Sequence, residues 1–424
     1  ASWTRIENGI ANSAIGMPFT LDPDAPGTVF AFDKTGILYR SSDSGDNWAP
    51  TGYSTPTNLI PTRIEDVPGV SGQVLLALSS FDQETFPSAD VMVRRSTDAG
   101  ATFVAVAGIP NGQGFASLAV DPANPSIVLA GTDYLYPTPA PAVSPDVLYR
   151  SSDGGLNFAP VFAPGVNPGY IPAVHTIAFG AGSRVYVGSS DYAIGVLRSD
   201  SDGASWNTVP GNANRLLANP AVADEVYASG SGVQVSIDGG LTWTPRNTGL
   251  SPNPSYLDPG TAAPLPAYVN GLAASPGFPA PGSSLWVASD GGGLFRSLDL
   301  GANWSSSGIN EGLAAVNVRA VLVHTNPSTI GGGGTGQRMY AGFSDAFYST
   351  SGIFGSSSGG GSWATANNGL EAATIRAMTI DPLRAGTTAV QVASSHLYAS
   401  GRSSLATLRA RNGSIYRSIT GGLS

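Results

Sequence analysis

Short apolar runs separated by turn-forming residues occupy the whole chain. The stretch LAVDPANPSIVLAGTD at 118–133 has an apolar run, an Asp-Pro turn and a second apolar run. Similar stretches are FTLDPDAPGTVFAFD at 19–33 and RLLANPAVADEVYASG at 215–230. Short runs bounded by Asp, Asn, Pro and Gly are typical of β-strands joined by tight turns. The pattern therefore predicts antiparallel strand pairs and an all-β fold.

A second phrase recurs after these strand pairs. LYRSSDSGDNW at 38–48 returns as VLYRSSDGGLNF at 147–158 and as LFRSLDLGANW at 294–304. We call the shared pattern, Ser/Thr-x-Asp-x-Gly-x-x-Trp/Phe, the box. Full copies begin at Ser41, Ser96, Ser151, Ser236 and Ser297 and end at Trp48, Phe103, Phe158, Trp243 and Trp304. Copies at 199–206 and 356–363 carry Ser201 and Ser358 in place of Asp, and a copy at 418–424 stops before its aromatic residue.

The residue types of the box predict a hairpin that is held by its own side chains. Asp and Ser bond to turn backbone, and Gly supplies a positive φ. The terminal aromatic residue is suited to fill the gap between neighbouring sheets. We therefore predict structural roles for the box residues Asp43, Asp98, Asp153, Asp238, Asp299, Trp48, Trp243 and Trp304.

Each repeat of roughly 40 to 50 residues contains four predicted strands, which is the composition of one β-propeller blade. The repeats predict a single domain over residues 1–424, an eight-bladed β-propeller of four-stranded antiparallel blades. SWTRIENGI at 2–10 reads like TWTPRNTGL at 242–250, so Trp3 supplies the aromatic residue that the copy ending at Ser424 lacks. The N-terminal strand is thus expected to pair with the C-terminal strands and close the ring.

The box copies resemble the Asp-box (BNR) repeats of sialidases, xyloglucan-degrading hydrolases, sortilin-type receptors and photosystem assembly factors. The resemblance covers essentially the whole chain as a repeat. It implies a β-propeller whose boxes lie on the face away from the active site. One such architecture carries unrelated functions, so function has to be argued from a site. The strings TRIENG at 4–9 and TRIEDV at 62–67 lack the proline of the sialidase Arg-Ile-Pro element, which argues against a sialidase.

The composition of the chain excludes several classes of binding partner and site. The chain of 424 residues has 42% hydrophobic and 12% charged residues, a net charge of −9 and one lysine, Lys34, which argues against nucleic-acid binding. It has no cysteine, so disulfides and thiolate metal sites are excluded. No segment approaches the roughly 20 apolar residues of a membrane-spanning helix. The start at Ala1, without a methionine, leads us to expect an exported protein that is secreted, extracellular or periplasmic.

The candidate functional residues lie in loops on the face opposite the boxes. The long insertions at 79–90, 132–146 and 246–271 carry Tyr134, Tyr136, Tyr256 and Tyr268, which are candidates for ligand stacking or for packing the loops. Carboxylates follow second strands at Asp33, Asp133, Asp191, Asp290 and Asp345, with Asp82 nearby. They are interpreted first as turn caps, and alternatively as a catalytic pair of a glycosidase. No cofactor or metal is expected, although Asp200-Ser201-Asp202-Gly203 faintly resembles a calcium loop.

Three functions stay open at this point. The first is an exported module that binds a protein or a polysaccharide through the long-loop face. The second is a glycan-cleaving enzyme that uses paired carboxylates of that face. The third is a structural subunit of an extracellular or envelope assembly. The sequence contains no constellation that selects an enzyme.

Overall fold

The computed structural model describes about two thirds of the chain. The described residues are 4–5, 8–10, 18–22, 24–25, 27–33, 35–56, 59–80, 90–133, 146–164, 172–189, 195–211, 213–250, 252–257, 264–266, 268–275, 278–281, 283–289, 292–306, 318–324, 338–343, 353–356, 363–365, 374–380, 397–402 and 413–418. All strand pairings among them are antiparallel apart from one isolated bridge between Ala107 and Asn157. Within these residues, no helix has the length and apolar character needed to cross a membrane.

The strands form successive sheets, which we number in chain order. Sheet 1 contains β2 (Phe19–Leu21), β3 (Val29–Phe32), β4 (Ile37–Ser41) and β5 (Ala49–Ser54). Sheet 2 contains β6 (Leu59–Asp66), β7 (Val74–Ser80), β8 (Val93–Ser96) and β9 (Val104–Ala105). Sheet 3 contains β10 (Phe115–Val120), β11 (Val128–Thr132), β12 (Leu148–Ser151) and β13 (Ala159–Phe162). Sheet 4 contains β14 (Thr176–Phe179), β15 (Val185–Gly188), β16 (Val196–Ser199) and β17 (Asn207–Val209).

The second half of the chain continues the series. Sheet 5 contains β18 (Arg215–Ala218), β19 (Val226–Gly230), β20 (Gly232–Ser236) and β21 (Thr244–Pro245). Sheet 6 contains β24 (Val269–Ala274), β25 (Leu285–Ser289) and β26 (Gly293–Ser297). Sheet 7 contains β27 (Val318–His324), β28 (Arg338–Phe343), β29 (Ile353–Ser356) and β30 (Ala364–Thr365). Sheet 8 contains β31 (Thr374–Ile380), β32 (Leu397–Arg402), β33 (Gly413–Ser418) and β1 (Thr4–Arg5).

All these sheets share one register. In each, the first residue of the box pairs with a second-strand residue, which pairs in turn with a residue at the end of the first strand. In sheet 1 these partners are Ser41, Val29 and Leu21. In sheet 3 they are Ser151, Val128 and Val120. The prediction of repeated four-stranded antiparallel units is confirmed for the described sheets, with sheet 6 as the exception.

The first strands of successive sheets contact one another from β2 through β6, β10, β14, β18, β24 and β27 to β31. Meandering sheets whose first strands stand side by side around an axis define a β-propeller architecture. The second strands are its most buried part, because they are covered by sheets on both sides. Strands β3, β11, β15 and β25 are buried at every residue.

Strand β1 joins the two ends of the described chain. Thr4 pairs with Arg417 and Arg5 pairs with Tyr416, which makes β1 the fourth strand of sheet 8. A few residues later, the Asn8 carbonyl accepts a hydrogen bond from the Trp48 backbone N in sheet 1, at 2.8 Å. The predicted partners Trp3 and Ser424 lie outside the described residues.

Two local features depart from the repeat. Sheet 6 has three described strands, and its fourth position is represented by an isolated bridge between Arg296 and Ser305. The insertion before sheet 6 forms a hairpin of its own, β22 (Pro252–Leu257) with β23 (Pro264–Pro266). The sequence predicted a long loop there and did not predict the hairpin, because its proline-rich composition is unusual for strands.

Candidate binding face

The strand order gives the molecule two different faces. Turns between first and second strands, and box turns between third and fourth strands, lie together on what we call the box face. Connections from second to third strands, and from each sheet to the next, lie on the opposite loop face. The chain's long insertions belong to the loop face, which is therefore where a ligand site is sought.

The boxes form the same hydrogen-bond network at all five full copies. In the copy at Ser151, the Ser hydroxyl donates to Asp153 Oδ1 at 2.7 Å and accepts from the Gly155 backbone N at 2.9 Å. Asp153 accepts from the backbone N of Leu156 and of Asn157, and from Asn157 Nδ2. Equivalent networks surround Asp43, Asp98, Asp238 and Asp299.

These hydrogen bonds stabilise the ionised form of the box carboxylates. Hydrogen bonds from Asn47 lower the pKa of Asp43 to about 2. Burial opposes the shift at Asp153, but the bonds from Asn157 still lower its pKa to about 2. Hydrogen bonds from Thr242 lower the pKa of Asp238 to about 2. The carboxylates are thus engaged within their own hairpins.

The box aromatic residues differ in burial. Trp48, Phe158 and Trp304 are buried, whereas Phe103 and Trp243 are partly exposed. Trp304 Nε1 donates to the Arg246 carbonyl at 2.7 Å, and Trp243 Nε1 donates to the Pro210 carbonyl at 2.6 Å. Both acceptors belong to the preceding sheet or to the chain that leaves it, so these side chains bridge consecutive sheets.

The copy at 199–206 keeps the network with hydroxyls in place of the carboxylate. Ser201 Oγ lies 2.9 Å from Ser205 Oγ and accepts from the Ser205 backbone N at 3.1 Å. The neighbouring Asp200 carboxylate contacts Arg184 at 2.7 Å and Arg198 at 2.9 Å. The segment that resembles a calcium loop therefore presents a carboxylate that two guanidinium groups already contact.

Asp33 is the first of the predicted loop-face carboxylates. Its side chain is fully buried, and its Oδ1 accepts from Thr35 N at 2.8 Å, Thr35 Oγ1 at 2.7 Å and Ile37 N at 3.0 Å. This is the geometry of a turn cap between β3 and β4. A fully buried carboxylate has no direct access to a substrate in solution.

Asp133 is placed differently. It lies half-buried at the end of β11, and its Oδ2 accepts a hydrogen bond from Ser79 Oγ, at the end of the neighbouring β7, at 2.8 Å. The remaining candidates Asp82, Asp191, Asp290 and Asp345 lie outside the described residues. The structure therefore brings no two of the six predicted carboxylates together within its described part.

Of the predicted tyrosines, Tyr268 is described in full. It is 37% exposed just before β24, and its hydroxyl accepts a hydrogen bond from Asn214 Nδ2, just before β18. Tyr256 lies in β22, but its side chain is outside the described part, as are Tyr134 and Tyr136 entirely. Tyr268 thus stands where the entrances of sheets 5 and 6 meet.

Three basic side chains that the sequence did not single out interact electrostatically, since Arg63 and Arg215 act on His175 and Arg63 acts on Arg215. Arg63 belongs to β6, His175 precedes β14, and Arg215 begins β18 next to Asn214. All three are exposed to solvent, and the surrounding protein partly desolvates His175 and Arg215. Arg63, Asp133, His175, Arg215 and Tyr268 are called the inner cluster below.

Electrostatic coupling shows that the charges of the inner cluster act on one another. Burial lowers the pKa of His175, the charge of Asp133 opposes this shift, and Arg215 and Arg63 add to it. Burial, followed by the charge of Arg63, lowers the pKa of Arg215. The cluster holds two guanidinium groups and one carboxylate, Asp133, and the lowered pKa of His175 favours a neutral imidazole. The site therefore combines an excess of positive charge with a neutral donor and acceptor. This chemistry suits an anionic ligand group.

The inner cluster could have been found from strand register. Arg63 pairs with Ala77 and Arg215 pairs with Ser229, at the same level of sheets 2 and 5. In the sequence, Arg63 stands in the string TRIEDV at 62–67, and no local motif marks His175 or Arg215. The signal was the recurrence of arginine at one position of the innermost strand.

Comparison with known proteins assigns no family. No protein-family model matches the sequence, and no curated protein matches it either. An ancestral GH74 enzyme is 14% identical with a TM-score of 0.49, covering 98% of this chain and 63% of its own. The GH74 xyloglucanase from Xanthomonas campestris is 16% identical with a TM-score of 0.35, covering 95% of this chain and 74% of its own. YCF48 from Cyanidioschyzon merolae is 13% identical with a TM-score of 0.43, and the match covers 84% of this chain and 97% of the YCF48 chain.

This chain therefore spans less than two thirds of the length of the ancestral GH74 enzyme. All three identities are low, and the β-propeller architecture rests on the chain's own strand pairing and on the contacts between first strands.

Proposed function

We propose that this protein is a binding module that holds an anionic group of a protein or polysaccharide ligand at its loop face. The observation that carries the proposal is the inner cluster, in which Arg63 and Arg215, from two different sheets, act electrostatically on His175 at the entrance of a third. Asn214, next to Arg215, donates a hydrogen bond to the exposed Tyr268. Arginine forks bind carboxylates in a bidentate manner, and an exposed aromatic ring offers a stacking surface.

The binding proposal is tested with acidic and neutral ligands of both classes. Acidic peptides, neutral peptides, polygalacturonate and xyloglucan are titrated against the full chain by calorimetry. We expect an acidic ligand to bind, and Arg63→Gln or Arg215→Gln to weaken it by about tenfold or more, because hydrogen bonds to charged groups contribute about 1.5–3 kcal/mol. Arg296→Gln, on the box face, is the matched control. Equal binding by all three variants would contradict the proposal.

The alternative is a glycan-cleaving enzyme. The observation in its favour is Asp133, a loop-face carboxylate whose charge acts on His175. Release of reducing sugar from plant and bacterial polysaccharides that disappears in Asp133→Asn, and persists in Asp33→Asn, would favour the enzyme. Binding without turnover would favour the module.

We further propose that residues 1–424 form one closed ring of eight blades. Two observations support closure: β1 completes sheet 8, and the adjoining Asn8 bonds to Trp48 of sheet 1. The common register of the described sheets supports the count. Action outside the cytoplasm, alone or as part of an envelope assembly, is also part of the proposal, and the low fraction of charged residues, 12%, supports it.

A further inference from the structure

Three carboxylates converge on the box face, at the seam between sheets 1 and 2 and away from the inner cluster. One oxygen from each of Asp22, Asp24 and Asp66 lies within 4.8 Å of the corresponding oxygens of the other two. Asp22 and Asp24 lie in the turn after β2, and Asp66 ends β6. Among the described residues, no ion pair joins any of the three to a basic side chain.

Asp66 occupies a position of the shared register at which the other sheets carry an apolar residue. It pairs with Val74, which pairs with the box residue Ser96. The residues at this position in the other sheets are all apolar: Leu21, Val120, Phe179, Ala218, Ala274, Val323 and Ile380. The repeat geometry therefore does not account for a carboxylate at this position.

Asp66 is also an unpartnered buried group. It is 7% exposed, and its Oδ1 has no hydrogen-bond partner among the described residues. A buried carboxylate without a partner is costly, because burial removes its hydration and nothing replaces it. The two acidic neighbours add repulsion.

The surrounding turns hold the other two carboxylates in place. Asp22 Oδ1 accepts from the backbone N of Asp24 at 2.8 Å and of Ala25 at 2.9 Å. Asp24 Oδ2 accepts from the backbone N of Gly69, which belongs to the turn after β6. Asp24 is exposed, so the cluster has a side that is open to solvent. The two turns are thus joined to each other around the three carboxylates.

We propose that Asp22, Asp24 and Asp66 bind a divalent cation, Ca²⁺ before Mg²⁺, between sheets 1 and 2. Carboxylate oxygens are the ligands of hard cations, and Ca²⁺ binds oxygens at about 2.3–2.6 Å in flexible geometry. Two oxygens within 4.8 Å of each other can therefore both reach one Ca²⁺. The cation would neutralise Asp66 and connect the turns of two consecutive sheets.

The test is a Ca²⁺ titration of the full chain after treatment with a chelator. We expect binding heat in calorimetry, and a melting temperature that rises with Ca²⁺ concentration, since a ligand that binds only the folded state stabilises it. Mg²⁺ at equal concentration is expected to act more weakly. Absence of both heat and thermal shift at millimolar Ca²⁺ would overturn the proposal.

Variants separate a cation site from a purely structural cluster. Asp22→Asn is expected to fold, because Asn219 caps the equivalent turn of sheet 5 by accepting from Ala221 N and Val222 N. It should bind Ca²⁺ at least about tenfold more weakly, and so should Asp66→Asn. Asp121→Asn is the matched control, because Asp121 caps the same turn in sheet 3. Undiminished binding in Asp22→Asn and Asp66→Asn would overturn the site.

A further variant, Asp66→Leu, restores the apolar residue of the repeat. Its melting temperature without cation is expected to exceed that of the wild type, and to be unaffected by Ca²⁺. A Ca²⁺-dependent shift in Asp66→Leu equal to that of the wild type would contradict the proposal. None of these measurements involves the loop face, so failure here leaves the proposed binding function untouched.

Discussion

The Asp153 carboxylate accepts four hydrogen bonds within a single hairpin. Such a group is more acidic in the folded chain than in the unfolded one, because every donor favours the ionised form. The same residue type on the loop face, Asp33, caps a different turn. At the residue scale, many of the chain's acidic residues thus shape turns, and their repetition makes these turns predictable from sequence.

The depressed pKa of Asp153, about 2, predicts acid-sensitive stability. Between pH of about 4 and about 2 the unfolded state binds the proton first, so stability is present above this window and is lost as pH falls through it. Asp153→Asn has no carboxyl group to protonate at this position. Its melting temperature should therefore fall less steeply with falling pH than that of the wild type between pH of about 4 and about 2. Thermal unfolding at several pH values checks this, and identical slopes would contradict it.

Leu300 carries local backbone strain that can be relieved. Its φ is 55°, and the equivalent positions of two other boxes are Gly154 and Gly239. A left-handed conformation costs an ordinary residue about 1–2 kcal/mol, and Leu300 is 42% exposed, so little packing is lost on truncation. Leu300→Gly should therefore raise the free energy of unfolding by up to about 1 kcal/mol.

The matched control for Leu300 lies in the same box. Leu298 is 67% exposed, and its φ is not positive. Leu298→Gly is expected to lower the free energy of unfolding, because it only increases the freedom of the unfolded chain. Urea denaturation of both variants checks the pair, and a loss of stability in Leu300→Gly would contradict the prediction.

At the scale of elements, the contact between consecutive sheets is a backbone seam. The aromatic residue of a box donates its backbone N–H to a carbonyl of the segment that leaves the preceding sheet. Phe158 N donates to the Ala107 carbonyl at 2.9 Å, and Trp304 N donates to the Thr248 carbonyl at 2.8 Å. A glycine follows each of these carbonyls, and a buried aliphatic residue follows the glycine, Ile109 or Leu250. This combination of a hydrogen bond, a glycine and a buried aliphatic residue thus recurs between consecutive sheets, as the box recurs within them.

Gly108→Ala tests the seam. A Cβ at this position would lie 1.7 Å from the Phe158 carbonyl oxygen, whereas a Cβ at Gly182 would meet nothing within 4 Å. Both residues have positive φ, 81° and 62°, so both variants carry backbone strain and only the first carries a clash. We expect Gly108→Ala to lose at least about 2 kcal/mol more than Gly182→Ala in chemical denaturation. Equal losses would show that the close approach is unimportant.

The sequence predicted the strands, the box hairpins and the Asp-Pro turns because each depends on residues a few positions apart. It did not predict the inner cluster, because Arg63, His175 and Arg215 belong to three sheets and act on one another only when first strands are arranged around an axis. It also missed Asp66, whose exceptional character appears only once its pairing with Val74 is known. Features formed by residues close together in the sequence could be predicted from it, whereas sites formed by residues of different sheets could not.

At the scale of the whole molecule, β1 and β33 place the two ends of the described chain in one sheet. Thr4 and Arg417 are direct partners, whereas Tyr416, one residue earlier, is the partner of Arg5. The chain has no cysteine, so a pair introduced at these positions can form only one disulfide. The proposed closure can therefore be tested by a covalent bond.

We expect the double variant Thr4→Cys with Arg417→Cys to oxidise in air, because directly opposed strand residues have Cα atoms within disulfide range, about 4.4–6.8 Å. The bond should raise the melting temperature, since it closes a loop of nearly the whole chain. Intact-mass analysis and thermal unfolding measure both effects. Thr4→Cys with Tyr416→Cys is the control, and equal oxidation of the two pairs would contradict the strand pairing.

The bond from Trp48 N to Asn8 O has a consequence for biosynthesis. Asn8 is held in position by the adjoining β1, whose partner β33 is the last described strand to leave the ribosome. Sheet 1 precedes the other described sheets along the chain, yet its outer seam waits until β33 has been made. We therefore expect the nascent protein to expose an unfinished edge, and to depend on chaperones, until β33 has emerged.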